Sequence, residues 1–214
     1  MNIRDEGMWP QAVSVPTNSQ STWLLLLDKR HSTAKEFLRQ EEEKGFIAIP
    51  TSLNTARGQD MIRLLLFRTI EELVESYQAT EHDHVREELI DALFFALEIA
   101  VLDDWKAITK DQLSESLFYA ANRTFNLGDR SHDHPWSEDI SDLIIEMGKF
   151  GDTLRNRSWM KQSQSTYFDG VGNLILLIMK VATFAMNRFS SFKEFWQFYV
   201  AKDNVLQFRI RSNY

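Results

Sequence analysis

The stretch HVREELIDALFFALEIAVL, residues 84–102, restricts the possible folds of this chain more than any other. At about 100° per residue, side chains three or four apart share a helix face. Leu89 and Leu93, Ile90, Phe94, Leu97 and Val101 then lie around most of the circumference. A helix that is apolar on nearly every side is enclosed by its neighbours and does not lie on a surface. Yet one stripe runs through His84, Glu88, Asp91, Phe95, Glu98 and Leu102, so its acids are no ordinary solvated face. A carboxylate taken out of water either gains a proton or finds a cation.

The preceding run has the same character. Residues 60–78 have helical spacing, with a stripe through Met61, Leu65, Arg68, Glu72 and Glu75. Only the polar ATEHDH separates the two runs, and a connection that short makes them antiparallel neighbours. Each helix therefore brings a pair of acids three residues apart, Glu72 with Glu75 and Glu88 with Asp91. A lone E-x-x-E is usually helix surface charge. Two such pairs, in apolar surroundings and on adjacent helices, call for a counter-charge, and a divalent ion supplies it. Mg²⁺ suits the site, with Mn²⁺ as a substitute, because it takes hard oxygen ligands and shares its shell with substrate phosphates. Such an ion polarises a phosphoryl oxygen and readies a water for attack. Arg68, one turn before Glu72, is a phosphate contact or a plain ion-pair partner of Glu72. Glu98 is an outer ligand or a contact to a base.

Helical periodicity continues along the chain. WLLLLDKRHSTAKEFLRQEEEKGF places Leu24, Leu27, His31 and Leu38 on one face, and EDISDLIIEMGKFGDTLRN turns Ile140, Leu143, Ile144, Met147 and Leu154 inward. TKDQLSESLFYAAN, an apolar helix over 171–188 and a short helix FKEFWQFYVA follow the same rule, and KDNVLQFRIRSNY is left as a tail. Strand-type alternation never persists, and 8 Gly and 4 Pro are few for a turn-rich fold. The expected class is all-α, a helical bundle around the central antiparallel pair, with residues 1–214 as a single domain.

A net charge of −7 disfavours a nucleic acid polymer as partner, since phosphate-binding surfaces are basic. GVGNLILLIMKVATFAM is interrupted by Asn173 and Lys180 and is short for a bilayer span, so it predicts a core helix and no membrane association. MNIRDEGMWPQ lacks the apolar core of a signal peptide. With no Cys there is no disulfide and no thiolate ligand, which suits a cytoplasmic protein and leaves oxygen or imidazole to bind any metal.

IEELVES followed by REELIDALFFAL resembles the E-x-x-E and E-x-x-D signature of the all-α nucleoside triphosphate pyrophosphatases, the superfamily of dimeric dUTPases, phage dCTPase-dUTPases and MazG-type proteins. The closing FYVAKDNVLQFRIRSNY is similar to the C-terminal phosphate-binding segment of the dimeric dUTPase and phage branch, with Lys202, Arg209 and Tyr214 on that branch's Lys, Arg and Tyr. Asp203 and Leu206 stand where the branch has Asn, and Asn213 where it has Gly. The resemblance implies a Mg²⁺-dependent pyrophosphohydrolase that converts a deoxynucleoside triphosphate, a pyrimidine such as dUTP or dCTP, to monophosphate and pyrophosphate. It implies Glu72, Glu75, Glu88 and Asp91 as metal ligands, with Glu72 and Glu75 catalytic and Glu75 orienting the attacking water. It also implies Lys202, Arg209 and Tyr214 as phosphate ligands in a tail, about 202–214, that closes over the substrate. A homodimer is expected from the family and from the apolar helix over 171–186. The altered tail leaves open a catalytically inactive protein of the same fold that binds a nucleotide or a partner.

Overall fold

A computed structural model describes residues 17–45, 55–102, 108–126, 136–154 and 170–212. Among these residues there are seven helices and no strand: α1 (Gln20–Glu43), α2 (Ala56–Gln78), α3 (His82–Leu102), α4 (Lys110–Asn126), α5 (Trp136–Asp152), α6 (Val171–Met186) and α7 (Phe192–Ser212). The all-α helical bundle expected from periodicity is what forms. No described helix is long and apolar enough to cross a membrane.

Local chemistry sets several helix ends. Ser19 caps α1 by accepting from the Thr22 amide at 3.2 Å, and Thr55 caps α2 by accepting from the Gly58 amide at 3.0 Å. Before α4, Thr109 and Gln112 form a reciprocal capping box: each side chain accepts from the other's amide, at 3.1 and 3.2 Å. Past the end of α1 the chain turns at Gly45, whose φ of 78° is left-handed and strained for a side-chain-bearing residue.

The centre of the bundle is α3, which packs on α1, α2, α6 and α7. It buries Leu89, Ile90, Ala92, Leu93, Phe94 and every residue from Ala96 to Leu102. Its most extensive partner is α2, which reverses direction through residues 79–81. On this pair α5 packs against α2, while α6, α1 and α7 pack against α3, and α4 bridges α1 and α6.

Three details differ from the local pattern. The buried stripe of α1 runs through Trp23, Leu26, Leu27, Arg30, Ala34 and Leu38, so Arg30 and not His31 points inward. On α5 the inner positions are Ile140, Leu143, Met147, Phe150 and Leu154, and Ile144, about 100° off that stripe, is 40% exposed. Residues 202–212 continue α7 and are not a separate tail: Asp203, Val205 and Ile210 are buried, as Phe195, Tyr199 and Ala201 are earlier in the same helix.

Asp203, fully buried, explains why a polar Lys-Asp-Asn run stays helical. It accepts from Thr33 Oγ1 at 3.0 Å and Gln207 Nε2 at 3.1 Å, and pairs with Lys29 Nζ at 3.2 Å and Arg30 Nη1 at 3.6 Å. A charge pair this far from water adds little over an apolar replacement, but removing one partner strands the other. Asp203→Ala should therefore destabilise the protein by about 3–5 kcal/mol in chemical denaturation. A loss below about 1 kcal/mol, the scale of an exposed pair, would refute this anchoring role.

Candidate functional site

The chain reverses at residues 79–81, which brings Glu72 and Glu75 of α2 beside Glu88 of α3. Carboxylate oxygens of Glu72, Glu75 and Glu88 all lie within 4.8 Å of one another. Glu72 is only 9% exposed, whereas Glu75 opens to solvent beside His84 and residues 78–81. Burial is the main cause that pushes the Glu72 carboxyl up to about 8; a hydrogen bond with Glu88 and the charges of Asp91, Glu88 and Glu75 add to it. Asp91 is also raised by burial and by Glu88, with Lys202 and Arg30 pulling the other way. His84 Nε2 stands 3.0 Å from Glu88 Oε1.

Beside these acids lies a cavity of about 320 Å³ bounded by α1, α2, α3 and α7. Glu72, Glu87 and Asp91 line it, and so do three cations, Arg68, Lys202 and Arg209. Lys202 Nζ is 2.9 Å from Asp91 Oδ2 and 3.9 Å from Glu87 Oε2. Arg68 pairs with Glu71 at 2.8 Å rather than with Glu72, and its guanidinium lies 5.4 Å from the centre of the Phe95 ring. Arg209 is exposed at the rim. The remaining wall is aromatic and aliphatic, from Phe37, Phe94, Phe95, Val205 and Leu206, and Arg30 with Glu98 completes it.

Of the residues singled out in the sequence, Arg68, Glu72, Asp91, Lys202 and Arg209 line this one cavity. Glu75 and Glu88 stand in the adjoining acid cluster. Tyr214 and Asn213 lie outside the described residues. Glu98 turns out to be ion-paired with Arg30 Nη2, and both are buried. Arg30 is the residue that sequence reasoning missed. The signal was present: it follows Trp23 by seven positions, Leu26 by four and Leu27 by three, on a stripe otherwise apolar.

The donor set fits a hard divalent cation. It offers carboxylate oxygens only, close enough to share one ion, and one member is driven toward its neutral form by burial first and by its neighbours' charges after it. A carboxyl whose pKa rises from 4.5 when unfolded to about 8 when folded adds stability that is complete below pH 4.5 and is lost as pH rises through 8. Metal-free protein should therefore lose Tm across that window, and Glu72→Gln, neutral throughout, should lose less. Parallel Tm profiles for the two proteins would show that Glu72 is not held protonated.

No family model matches the chain, and no curated protein or solved structure matches it.

Proposed function

We propose that this protein is a Mg²⁺-dependent nucleotide pyrophosphohydrolase, which converts a deoxynucleoside triphosphate to the monophosphate and pyrophosphate. One observation carries the reading: the acids Glu72 and Asp91 and three cations from α2 and α7 line one cavity that also has an aromatic wall, with the Glu72–Glu75–Glu88 cluster beside it. Acids alone would suit a bare cation, and cations alone a bare anion. The two together suit a metal-bound polyphosphate attached to a ring.

Glu72, Glu75, Glu88 and Asp91 would hold Mg²⁺ or Mn²⁺, which supplies phosphoryl polarisation and a more acidic water when bound. The chain's own residues do the rest. Arg68, Lys202 and Arg209 donate to phosphate oxygens, the arginines through a planar fork and the lysine as a point charge. Glu75, the cluster member most open to solvent, orients a water and takes its proton as the water oxygen attacks the α-phosphorus. The bond from that phosphorus to the bridging oxygen breaks, and pyrophosphate leaves with the electron pair. Lys202 keeps Asp91 with one of its three N–H donors and offers another to a phosphate oxygen when substrate arrives.

That same Lys202–Asp91 contact favours a second reading, in which the lysine permanently neutralises the fourth acid and the fold binds nucleotide without turnover. Pyrophosphate release from a panel of deoxynucleoside triphosphates with Mg²⁺ separates the two. In the enzyme, Glu75→Gln should lower kcat by about 10²-fold or more at unchanged fold, measured by circular dichroism. Activity within a few-fold of wild type would remove Glu75 from the mechanism.

A homodimer belongs to the proposal, though not through the element expected. The helix over 171–186 buries most of its apolar side chains within the chain. Phe67, Val74 and Tyr77 of α2 are instead exposed at 57%, 39% and 57% and share one face. Light scattering at micromolar concentration should give twice the chain mass, and Phe67→Glu with Tyr77→Glu should halve it. A monomeric wild type would refute the dimer.

A further inference from the structure

The cavity is chemically divided. Beside the metal-type acids and the cations it has a second set of lining residues, Phe94, Phe95, Arg30 and Glu98. Arg30 is 2% exposed and Glu98 4%. Arg30 reaches Glu98 through Nη2 and lies 3.6 Å from Asp203 through Nη1, beyond hydrogen-bond length. Nη1 faces Asp203 Oδ1, itself without a hydrogen-bond donor, and Nε has no acceptor among the described residues. A buried donor without an acceptor is costly, and such a group in a native fold calls for an explanation. Glu98 has acceptor capacity to spare as well, because a carboxylate offers about four lone-pair sites and Arg30 takes one. The pair is held in place from behind, with the guanidinium 4.3 Å from the centre of the Phe94 ring and Phe94 itself edge-on to Tyr199 at 4.8 Å.

We propose that Arg30 and Glu98 form a base-reading subsite for a heterocycle that presents a ring N–H beside a carbonyl. The ring N–H donates to Glu98, Arg30 donates to the carbonyl oxygen, and the flat ring lies against Phe94 and Phe95. This rests on the nucleotide reading above and narrows it. Uracil, thymine and guanine carry such an edge. Adenine and neutral cytosine have a ring-nitrogen acceptor where the ring N–H would be, and their amino group meets Glu98 only if the ring slides one position along its edge. Discrimination therefore rests on the phosphates fixing the register of the ring: in that register the ring nitrogen faces Glu98, acceptor against acceptor, and a ligand that leaves a buried polar group unpaired is rejected far more strongly than one that is merely a poorer fit. The chemistry therefore favours dUTP over dCTP among pyrimidines and predicts rejection of dATP.

Equilibrium binding of non-hydrolysable α,β-imido analogues, with Mn²⁺, tests this. At least one of the uracil and guanine analogues should bind tenfold or more tightly than the adenine and cytosine analogues. N-methylation of its ring N–H should abolish that lead, whereas 5-methylation of uracil, which adds the same bulk and keeps the N–H, should not. Glu98→Gln keeps the shape and replaces a charged acceptor by a neutral one, so it should shrink the preference several-fold while Mn²⁺ affinity stays unchanged. Equal binding of the N-methylated analogue, of the adenine analogue, or of plain tripolyphosphate would overturn the subsite and leave the nucleotide reading standing. If Mn²⁺ binds and no nucleotide does, the nucleotide reading itself fails, and the subsite with it.

Discussion

Withdrawing a carboxylate from water costs more than a small bundle can spare unless the charge is cancelled, and α3 carries Glu87, Glu88, Asp91 and Glu98 into or beside the interior. Each is answered differently. Glu98, the deepest, has a buried arginine from α1. Asp91 has the ammonium of Lys202 from α7, and Glu87 has that ammonium farther off. Glu88 has His84 on its own helix and a hydrogen bond with Glu72 across the α2 interface. The arrangement of α1, α2 and α7 around α3 follows from these needs as much as from apolar packing. Glu72, Glu75 and Glu88, which pair with no lysine or arginine among the described residues, bring carboxylate oxygens within 4.8 Å of one another.

Two adjacent residues of α7 connect the halves of this network. Asp203 turns toward α1, where Lys29, Arg30 and Thr33 meet it, and Lys202 turns about 100° away, toward α3. One helix thus fixes the floor of the cavity through one side chain and its charged mouth through the next. Val205 and Leu206, a turn further on, supply part of the wall. The position of Lys202 against Asp91 consequently depends on contacts behind α7, not in front of it.

The class of fold and the α2–α3 pair were legible because both rest on local periodicity: a helix apolar on nearly every side can only be central, and a three-residue turn can only reverse the chain. Arg68, Glu72, Asp91, Lys202 and Arg209, singled out on the acid pairs and on the resemblance of the C-terminal segment, line one cavity, and Glu75 and Glu88 stand beside it. What stayed hidden rests on long-range charge pairing. Arg30 looks like a surface residue until Glu98 and Asp203 are seen opposite it, and that shifted the expected face of α1 by one position. Asp203 in a Lys-Asp-Asn run reads as the start of a loop, since nothing nearby in sequence shows that Thr33 and Lys29 wait for it. Ile144 was misjudged for a simpler reason: in the apolar run Leu143–Ile144–Ile145 only Leu143 turns inward, and periodicity alone does not rank neighbours.

The span between Thr33 and Asp203 has a bearing on how the chain is made. These partners are 170 positions apart, so at synthesis rates of about 5–20 residues per second the first helix waits many seconds for the carboxylate that completes its buried face. Until then Arg30 has Glu98 alone, and the groove reserved for α7 exposes Trp23 and Phe94 to whatever else is in reach. The early helices cannot close as an autonomous N-terminal unit. Emergence of the last helix is the committing event, which makes a nascent chain stalled before α7 the species most exposed to aggregation or chaperone capture.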